Sequence, residues 1–155
     1  MKKLILLKLL CISLISCQPE KKSFVNQINL SGVDGQYMDI EQFEGKILIL
    51  NLWATWCGPC IKEMPDLASM QKELPADFAL ILASDEELQT IQKFTQTQPE
   101  DLLFAQLQTP ISTLGAYSLP TTFVIGGNGQ LLETLVGARK WDSSEQIEQL
   151  LTYLK

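Results

Sequence analysis

The chain has 155 residues, of which 46% are hydrophobic and 19% are charged, a composition that predicts one globular domain. Its 18 acidic residues outnumber the 12 basic ones and give a net charge of -6, which argues against binding to the phosphate backbone of a nucleic acid. The sequence contains no histidine, and this excludes Ser-His-Asp catalysis, Cys-His proteolysis and almost every catalytic zinc site. Any catalysis must therefore rest on other side chains.

The N-terminal segment has the pattern of an export signal. A basic start precedes an apolar stretch that is too short to span a bilayer as a stable helix. The stretch ends in Leu14-Ile15-Ser16-Cys17, which resembles the lipobox of bacterial lipoproteins, where cleavage before the cysteine leaves it linked to diacylglycerol. We therefore predict a lipoprotein signal peptide over residues 1–16, lipid on Cys17 and a short tether over residues 17–26. An ordinary signal peptide that is cut nearby is the alternative.

Apolar runs and turn residues then predict alternating strands and helices in one domain over residues 27–155. The predicted strands are 28–30, 36–40, 46–53, 78–83, 102–107, 121–125 and 130–137. The predicted helices are 61–74 with a bend at Pro65, 85–97 opened by Asp85, a short one at 111–117, and 142–154 capped by Asp142, Ser143 or Ser144. Glycine-rich turns join the first two strands and the last two. This alternation predicts an α/β sandwich with a mixed β-sheet.

The four cysteines divide into two groups. Cys11 lies in the predicted signal peptide and Cys17 is the predicted lipid acceptor. Cys57 and Cys60 form a C-x-x-C pair, whose disulfide would close too small a loop to stabilise the fold much. A metal knuckle would need a second ligand pair, and once Cys11 and Cys17 are assigned to the signal peptide and the lipid, the sequence offers neither a further cysteine nor a histidine for it. Redox chemistry is the remaining use of this pair.

The pair falls where a predicted buried strand ends and a helix begins. Backbone N–H groups and the dipole at a helix N-terminus stabilise negative charge, so we expect Cys57 to ionise readily and to act as the nucleophile. Cys60, one turn inside the helix, is placed to attack a mixed disulfide on Cys57 and release the reduced partner. Gly58 and Pro59 let the chain turn into the helix.

Trp53-Ala54-Thr55-Trp56-Cys57-Gly58-Pro59-Cys60 resembles the active site of thioredoxin-fold proteins, and Leu119-Pro120-Thr121-Thr122-Phe123 resembles the segment that carries their cis-proline. Asn51, the Glu63-Met64-Pro65 flank, the first hairpin and the export signal are together similar to the TlpA/ResA-like membrane-tethered thiol-disulfide oxidoreductases. The resemblance implies a thioredoxin-like α/β fold with a central mixed sheet, flanking helices and an N-terminal β-hairpin. It covers roughly residues 26–155.

The resemblance also implies roles for residues near the dithiol. Pro120 would shape the substrate groove and keep metals from the thiolates. Substrate would also meet Trp56, Gly58, Pro59 and Leu119. Either tryptophan of the motif could pack in the core or meet substrate, and we favour the core for Trp53 and the surface for Trp56.

Two positions depart from cytoplasmic thioredoxins. Asn51 stands where those proteins bury an aspartate, and their partner lysine is absent. Glu63 is then the candidate acid that assists Cys60, although a surface acid that compensates the helix dipole is the alternative.

These residues predict a lipid-anchored protein disulfide reductase that faces the cell envelope and needs no bound cofactor or metal. Its predicted partners are protein disulfides, an upstream membrane thiol donor and the membrane itself, with cytochrome c apoproteins the substrate class that the resemblance suggests first. The Gly58-Pro59 pair favours a reductant, but an oxidase or isomerase remains an alternative because direction depends on reduction potential. A peroxidase and a Cu(I)-delivery protein are the weaker alternatives.

Overall fold

The computed structural model describes residues 23–154, in which one mixed sheet of seven strands forms the centre. The strands are β1 (Leu30–Gly32), β2 (Tyr37–Met38), β3 (Ile47–Leu52), β4 (Phe78–Ser84), β5 (Phe104–Leu107), β6 (Thr121–Ile125) and β7 (Leu131–Val136). Their order across the sheet is β2-β1-β5-β4-β3-β6-β7. The predicted signal peptide, Cys11, Cys17 and the first part of the predicted tether lie outside the described residues.

Strand β3 is the centre of the sheet. It pairs in parallel with β4 and antiparallel with β6, and all six of its residues are buried. Alternate side chains point to opposite faces of a strand. Accordingly, Ile47 and Ile49 join one core cluster, while Leu48, Leu50 and Leu52 join the other. The nearly continuous apolar run of this segment is therefore that of a strand covered on both faces.

The helices are distributed unequally between those faces. Within residues 23–154 the α-helices are α1 (Gly58–Glu73), α2 (Leu88–Thr95) and α3 (Ser144–Leu151), and each buries side chains in the core cluster that contains Ile49. The opposite face is covered by short 3-10 helices at Phe24–Gln27, Ile40–Phe43 and Ile111–Leu114. The predicted α/β thioredoxin-like sandwich, with its mixed sheet and N-terminal hairpin, is confirmed.

Several element ends differ from the sequence-based prediction. Helix α2 begins at Leu88 instead of residue 85, because the Asp85 carboxylate accepts a hydrogen bond from the backbone N–H of Ile111. Helix α1 continues through Pro65 to Glu73 as one α-helix. The cap of α3, in contrast, is one of the three predicted candidates: it is Ser143, whose hydroxyl oxygen accepts from the N–H of Gln146.

The chain joins the packed domain earlier than residue 27. Ser23 Oγ and the N–H of Val25 both donate to the carbonyl of Gly129, and the Phe24 ring packs 5.0 Å from that of Phe123. Residues 23–26, which the sequence assigns to the tether, therefore lie against the turn between β6 and β7. Within residues 23–154, no helix is both long enough and apolar enough to cross a membrane.

Candidate active site

The C-x-x-C pair lies at the junction of β3 and α1. Cys57 is the N-cap of α1, and its Sγ accepts a hydrogen bond of 3.3 Å from the backbone N–H of Cys60. Pro59 occupies the first turn of the helix, where its missing N–H leaves no hydrogen bond unmade. A disulfide joins Cys57 to Cys60. The N–H of Cys60 and the dipole of α1 favour negative charge at the position of the Cys57 sulfur, as a thiolate nucleophile would require.

Both cysteines are buried, whereas the residues that flank Cys57 in the chain are exposed. Cys57 is 4% exposed and Cys60 1%, so both belong largely to the protein interior. Trp56, Gly58 and Pro59, which flank Cys57 in the chain, are all exposed, Trp56 to 75%. The protein surface beside the buried dithiol is thus formed by residues next to Cys57, and the role of Trp56, Gly58 and Pro59 in binding substrate stays a prediction.

The predicted cis-proline segment stands beside this junction. The Leu119–Pro120 peptide bond is cis, and Pro120 directly precedes β6. In the pairing of β6 with β3, Thr121 lies opposite Leu52, so Pro120 is at the end of the sheet from which the chain leads to Cys57. Pro120 is buried and Leu119 half-buried. Their roles in binding substrate remain predictions.

Glu63 is buried in the protein, where its carboxylate accepts three hydrogen bonds. It lies one turn after Cys60 on α1 and is 3% exposed. Oε1 accepts from Asn51 Nδ2 at 2.9 Å, and Oε2 accepts from Trp141 Nε1 and from the backbone N–H of Arg139, both at 3.0 Å. The surface-acid alternative for Glu63 is therefore wrong.

Asn51 connects this carboxylate to the sheet. Its side-chain amide also donates to Thr122 Oγ1 at 2.9 Å, across the β3–β6 pair in which the two residues face each other. An aspartate here would bring a second carboxylate against Glu63, whereas an amide supplies donors to it. Asparagine at position 51, where cytoplasmic thioredoxins bury an aspartate, is therefore compatible with the buried carboxylate of Glu63, which α1 places beside it.

Burial raises the pKa of Glu63 above its usual value of 4.5, because desolvation disfavours the charged carboxylate. The hydrogen bonds from Asn51, Arg139 and Trp141 oppose this increase, as does the Arg139 charge. A carboxyl group with a raised pKa is better able to hold or release a proton near neutral pH than an exposed one. Since Cys60 and Glu63 are three residues apart on one helix, their side chains share a face.

The Glu63→Gln substitution should change how stability depends on pH. The folded protein binds the Glu63 proton more tightly than the unfolded chain, so its contribution to stability falls as pH rises from 4.5 through the raised pKa. We expect the free energy of unfolding of the oxidised wild type to decline, relative to that of the variant, across this window. Urea unfolding at a series of pH values measures it. Glu73→Gln, at an exposed site on the same helix, is the control, and parallel curves for wild type and Glu63→Gln would contradict the expectation.

The two tryptophans of the motif take different positions, as predicted. Trp53 is fully buried, with its ring 4.8 Å from that of Phe94 and 5.4 Å from that of Phe104. Trp56 is exposed beside Cys57. The buried ring thus fixes the start of the loop, and the exposed ring remains available to a partner.

Sequence reasoning did not find the donors that surround Glu63. Trp141 and Arg139 follow Glu63 by 78 and 76 residues and carry no motif. Within residues 23–154, the structure contains no group of three or more Cys, Asp or Glu side chains placed to hold a metal ion.

A disulfide at the N-terminus of a helix, beside a cis-proline and on a mixed sheet, defines a class: a thioredoxin-fold thiol-disulfide oxidoreductase. A model of the AhpC/TSA family matches residues 22–134. The chain belongs to this family.

Among its relatives, the thiol-disulfide oxidoreductase ResA of Bacillus thuringiensis (strain Al Hakam) is 30% identical over 130 residues, which are 81% of this chain and 72% of that protein. ResA of Bacillus cereus (strain ATCC 10987 / NRS 248) is 29% identical over 126 residues, or 79% and 71% of the two chains. The predicted TlpA/ResA-like resemblance is thereby confirmed, as is the enzyme class.

Solved structures agree with this assignment. A thiol:disulfide interchange protein of the thioredoxin family from Chlorobium tepidum TLS is 26% identical, with a TM-score of 0.63 over 79% of this chain and 92% of that one. The exposed lipoprotein thioredoxin of Streptococcus pneumoniae strain TIGR4 has a TM-score of 0.69 at 24% identity, over 80% and 96% of the two chains, and shows the shared fold.

Proposed function

We propose that this oxidoreductase is a protein disulfide reductase of the cell envelope, held at a membrane by lipid on Cys17. The observation that carries the proposal is the placement of Cys57 as N-cap of α1, joined to Cys60 in a disulfide and flanked by the exposed residues Trp56 and Gly58. Electrons are carried by this pair, so no bound cofactor takes part. Protein disulfides are the substrates, and a membrane thiol donor restores the dithiol.

The reaction proceeds in two thiol-disulfide exchanges. The Cys57 thiolate attacks one sulfur of the substrate disulfide, forms a mixed disulfide and releases the other substrate sulfur as a thiolate. Cys60 then loses its proton and attacks Cys57 Sγ, which forms the Cys57–Cys60 disulfide and releases the second substrate thiolate. The substrate gains two electrons and the dithiol loses them. We assign the proton from Cys60 to the buried carboxylate of Glu63, one helical turn away.

The proposed binding surface is the exposed edge around Cys57. Trp56, Gly58 and Pro59 present an aromatic ring and open backbone. We propose that the half-buried Leu119 borders this surface from the side of β6 and that the buried Pro120 supports it from beneath. Such a surface suits an extended segment of a substrate protein better than a small molecule. Cytochrome c apoproteins, which carry C-x-x-C-H segments, are the substrate class that we propose first.

The direction of electron flow and the anchor rest on the sequence. Gly58 and Pro59 between the cysteines favour a reductant, and the lipobox-like Leu14-Ile15-Ser16-Cys17 supports export and lipidation. In an envelope compartment that oxidises thiols, a reductant needs a dedicated electron source, and we therefore propose an upstream membrane thiol donor. A disulfide oxidase or isomerase is the competing function.

The redox equilibrium with glutathione separates these two functions. We expect a reduction potential below about -260 mV, more reducing than the extracted glutathione pool. The measurement uses the chain with Cys11→Ser and Cys17→Ser, equilibrated in glutathione buffers of graded ratio, with thiol trapping of Cys57 and Cys60. Cys57→Ser in the same background is the control, since it cannot form the intramolecular disulfide. A potential less negative than that of the pool would make the protein a disulfide donor or isomerase.

A further inference from the structure

A second carboxylate holds the loop that leads to Cys57. Glu86 follows β4, whose parallel pairing with β3 places the loops after both strands at the same end of the sheet. Its Oε2 accepts from the backbone N–H of Thr55 at 2.7 Å, and its Oε1 accepts from Thr55 Oγ1 at 2.7 Å. Ser84 Oγ adds a third donor to Oε2 at 3.1 Å.

Glu86 is itself fixed by its surroundings. Its N–H donates to Ser84 Oγ, and its carbonyl accepts from Gln106 Nε2 at 3.0 Å. The carboxylate therefore reaches Thr55 from a backbone that is tied to β4 and β5. Charge-assisted hydrogen bonds of this length are stronger than neutral ones, so Thr55 is bound firmly from outside its own loop.

Beyond the packing of Trp53 at its start, the loop between β3 and α1 has few other hydrogen bonds to the rest of the protein. Trp53 donates its N–H to Ala83 at one end, and the Cys57 carbonyl accepts from Ile61 at the other. Between them, the N–H of Cys57 donates to Ala54 within the loop itself. The contacts from Glu86 to Thr55 are thus the tie between the middle of this loop and the rest of the sheet.

We propose that Glu86 is a positioning residue for the second exchange step. Its carboxylate holds the Thr55–Cys57 loop while a substrate is attached to Cys57, so that Cys57 Sγ stays within reach of Cys60. In the mixed disulfide the Cys57–Cys60 bond is absent, and the attached substrate can pull the loop from its place. Cys60 is fixed by α1, and Glu86 supplies the matching restraint on the other sulfur. This inference rests on dithiol-disulfide exchange and is independent of the direction of electron flow in the cell.

The test separates the two steps with the disulfide probe DTNB. Reduced protein in the Cys11→Ser, Cys17→Ser background is mixed with DTNB well below the protein concentration. Cys57 attacks DTNB and releases one thionitrobenzoate (TNB) anion. Cys60 then attacks Cys57 Sγ and releases the second, so stopped-flow absorbance gives both rates.

In Glu86→Gln, the amide keeps one acceptor oxygen and loses the charge. We expect the second release to slow by about tenfold, in line with the loss of one charged hydrogen bond, while the first changes by less than about twofold. Glu87→Gln removes the same charge at an exposed neighbour whose side chain caps nothing, and it should match the wild type in both steps. Thr55→Val, which deletes one donor only, should slow the second step to a smaller extent.

Other results would overturn the inference. Equal rates in Glu86→Gln and Glu87→Gln would show that the carboxylate does not position the loop. Slowing of both releases by the same factor would indicate general damage to the site, and so would a slower second step in Glu87→Gln. Release of only one TNB per DTNB by the wild type would contradict the exchange activity, and the inference with it. A reduction potential less negative than that of glutathione, in contrast, would contradict only the proposal that the protein acts as a reductase.

Discussion

Replacing Cys60 with alanine is expected to halt disulfide exchange after its first step and to leave the substrate covalently attached to Cys57. The Cys57 thiolate retains its place at the N-terminus of α1, so it still attacks a disulfide. The second step then depends on an external thiol. Because a well-placed intramolecular group acts at an effective concentration far above that of any added thiol, turnover should fall by at least ~1000-fold.

Insulin reduction and non-reducing mass spectrometry measure this outcome in the Cys11→Ser, Cys17→Ser background, where the active-site pair supplies the only thiols. Cys57→Ala is the matched control, since it should neither turn over nor retain substrate. Accumulation of the mixed disulfide on Cys57 in the Cys60→Ala protein would confirm the order of attack. Retention of the substrate on Cys60 in the Cys57→Ala protein would reverse the roles of nucleophile and resolving residue.

Truncation of Trp53 to alanine is expected to reduce the free energy of unfolding by about 3–5 kcal/mol, the range for large aromatic residues in a core. The side chain is fully buried and packs against Phe94 of α2 and Phe104 of β5. Its removal leaves a cavity between Phe94 and Phe104.

Urea unfolding of the oxidised proteins measures the loss. Trp56→Ala, three residues along the chain, removes the same side chain from a site that is 75% exposed, and its effect should stay within about 0.5 kcal/mol. Trp56→Ala should instead weaken the binding of protein substrates. Similar losses for both variants would contradict the division into one core and one surface tryptophan.

The central strand and the dithiol were predictable because their signals are local. The apolar run that ends at Trp53 identifies a buried strand, and the helix after Cys60 follows from residue spacing alone. The beginning of α2 was not predictable in this way. Aspartate is a common helix cap, but the carboxylate of Asp85 accepts a hydrogen bond from the backbone N–H of Ile111, 26 residues away. Tertiary contact here overrides a local preference.

The contacts of Glu63, which is buried, and of Glu86, which is half-buried, also depend on residues that are distant in the chain. Glu63 meets Asn51, Arg139 and Trp141 only because β3, α1 and the loop after β7 converge. Position on an early helical turn favours an exposed acid, and nothing within several residues of Glu63 indicates otherwise. Glu86 similarly reaches Thr55 across 31 positions of the chain. The sequence therefore predicts the cysteine motif, whereas it does not predict the distant side chains that form hydrogen bonds around the site.

The attachment of Ser23 and Val25 to Gly129 places the beginning of the domain at the end opposite the dithiol. Gly129 lies in the turn after β6, and the dithiol adjoins the opposite end of that strand, five residues or about 17 Å away. Ser23, the first residue that the structure describes, therefore lies at the end of the domain remote from Cys57. In a chain anchored through Cys17, as we propose, the end of the domain that carries the dithiol would lie away from the anchor. It would be turned toward the compartment that holds the substrates.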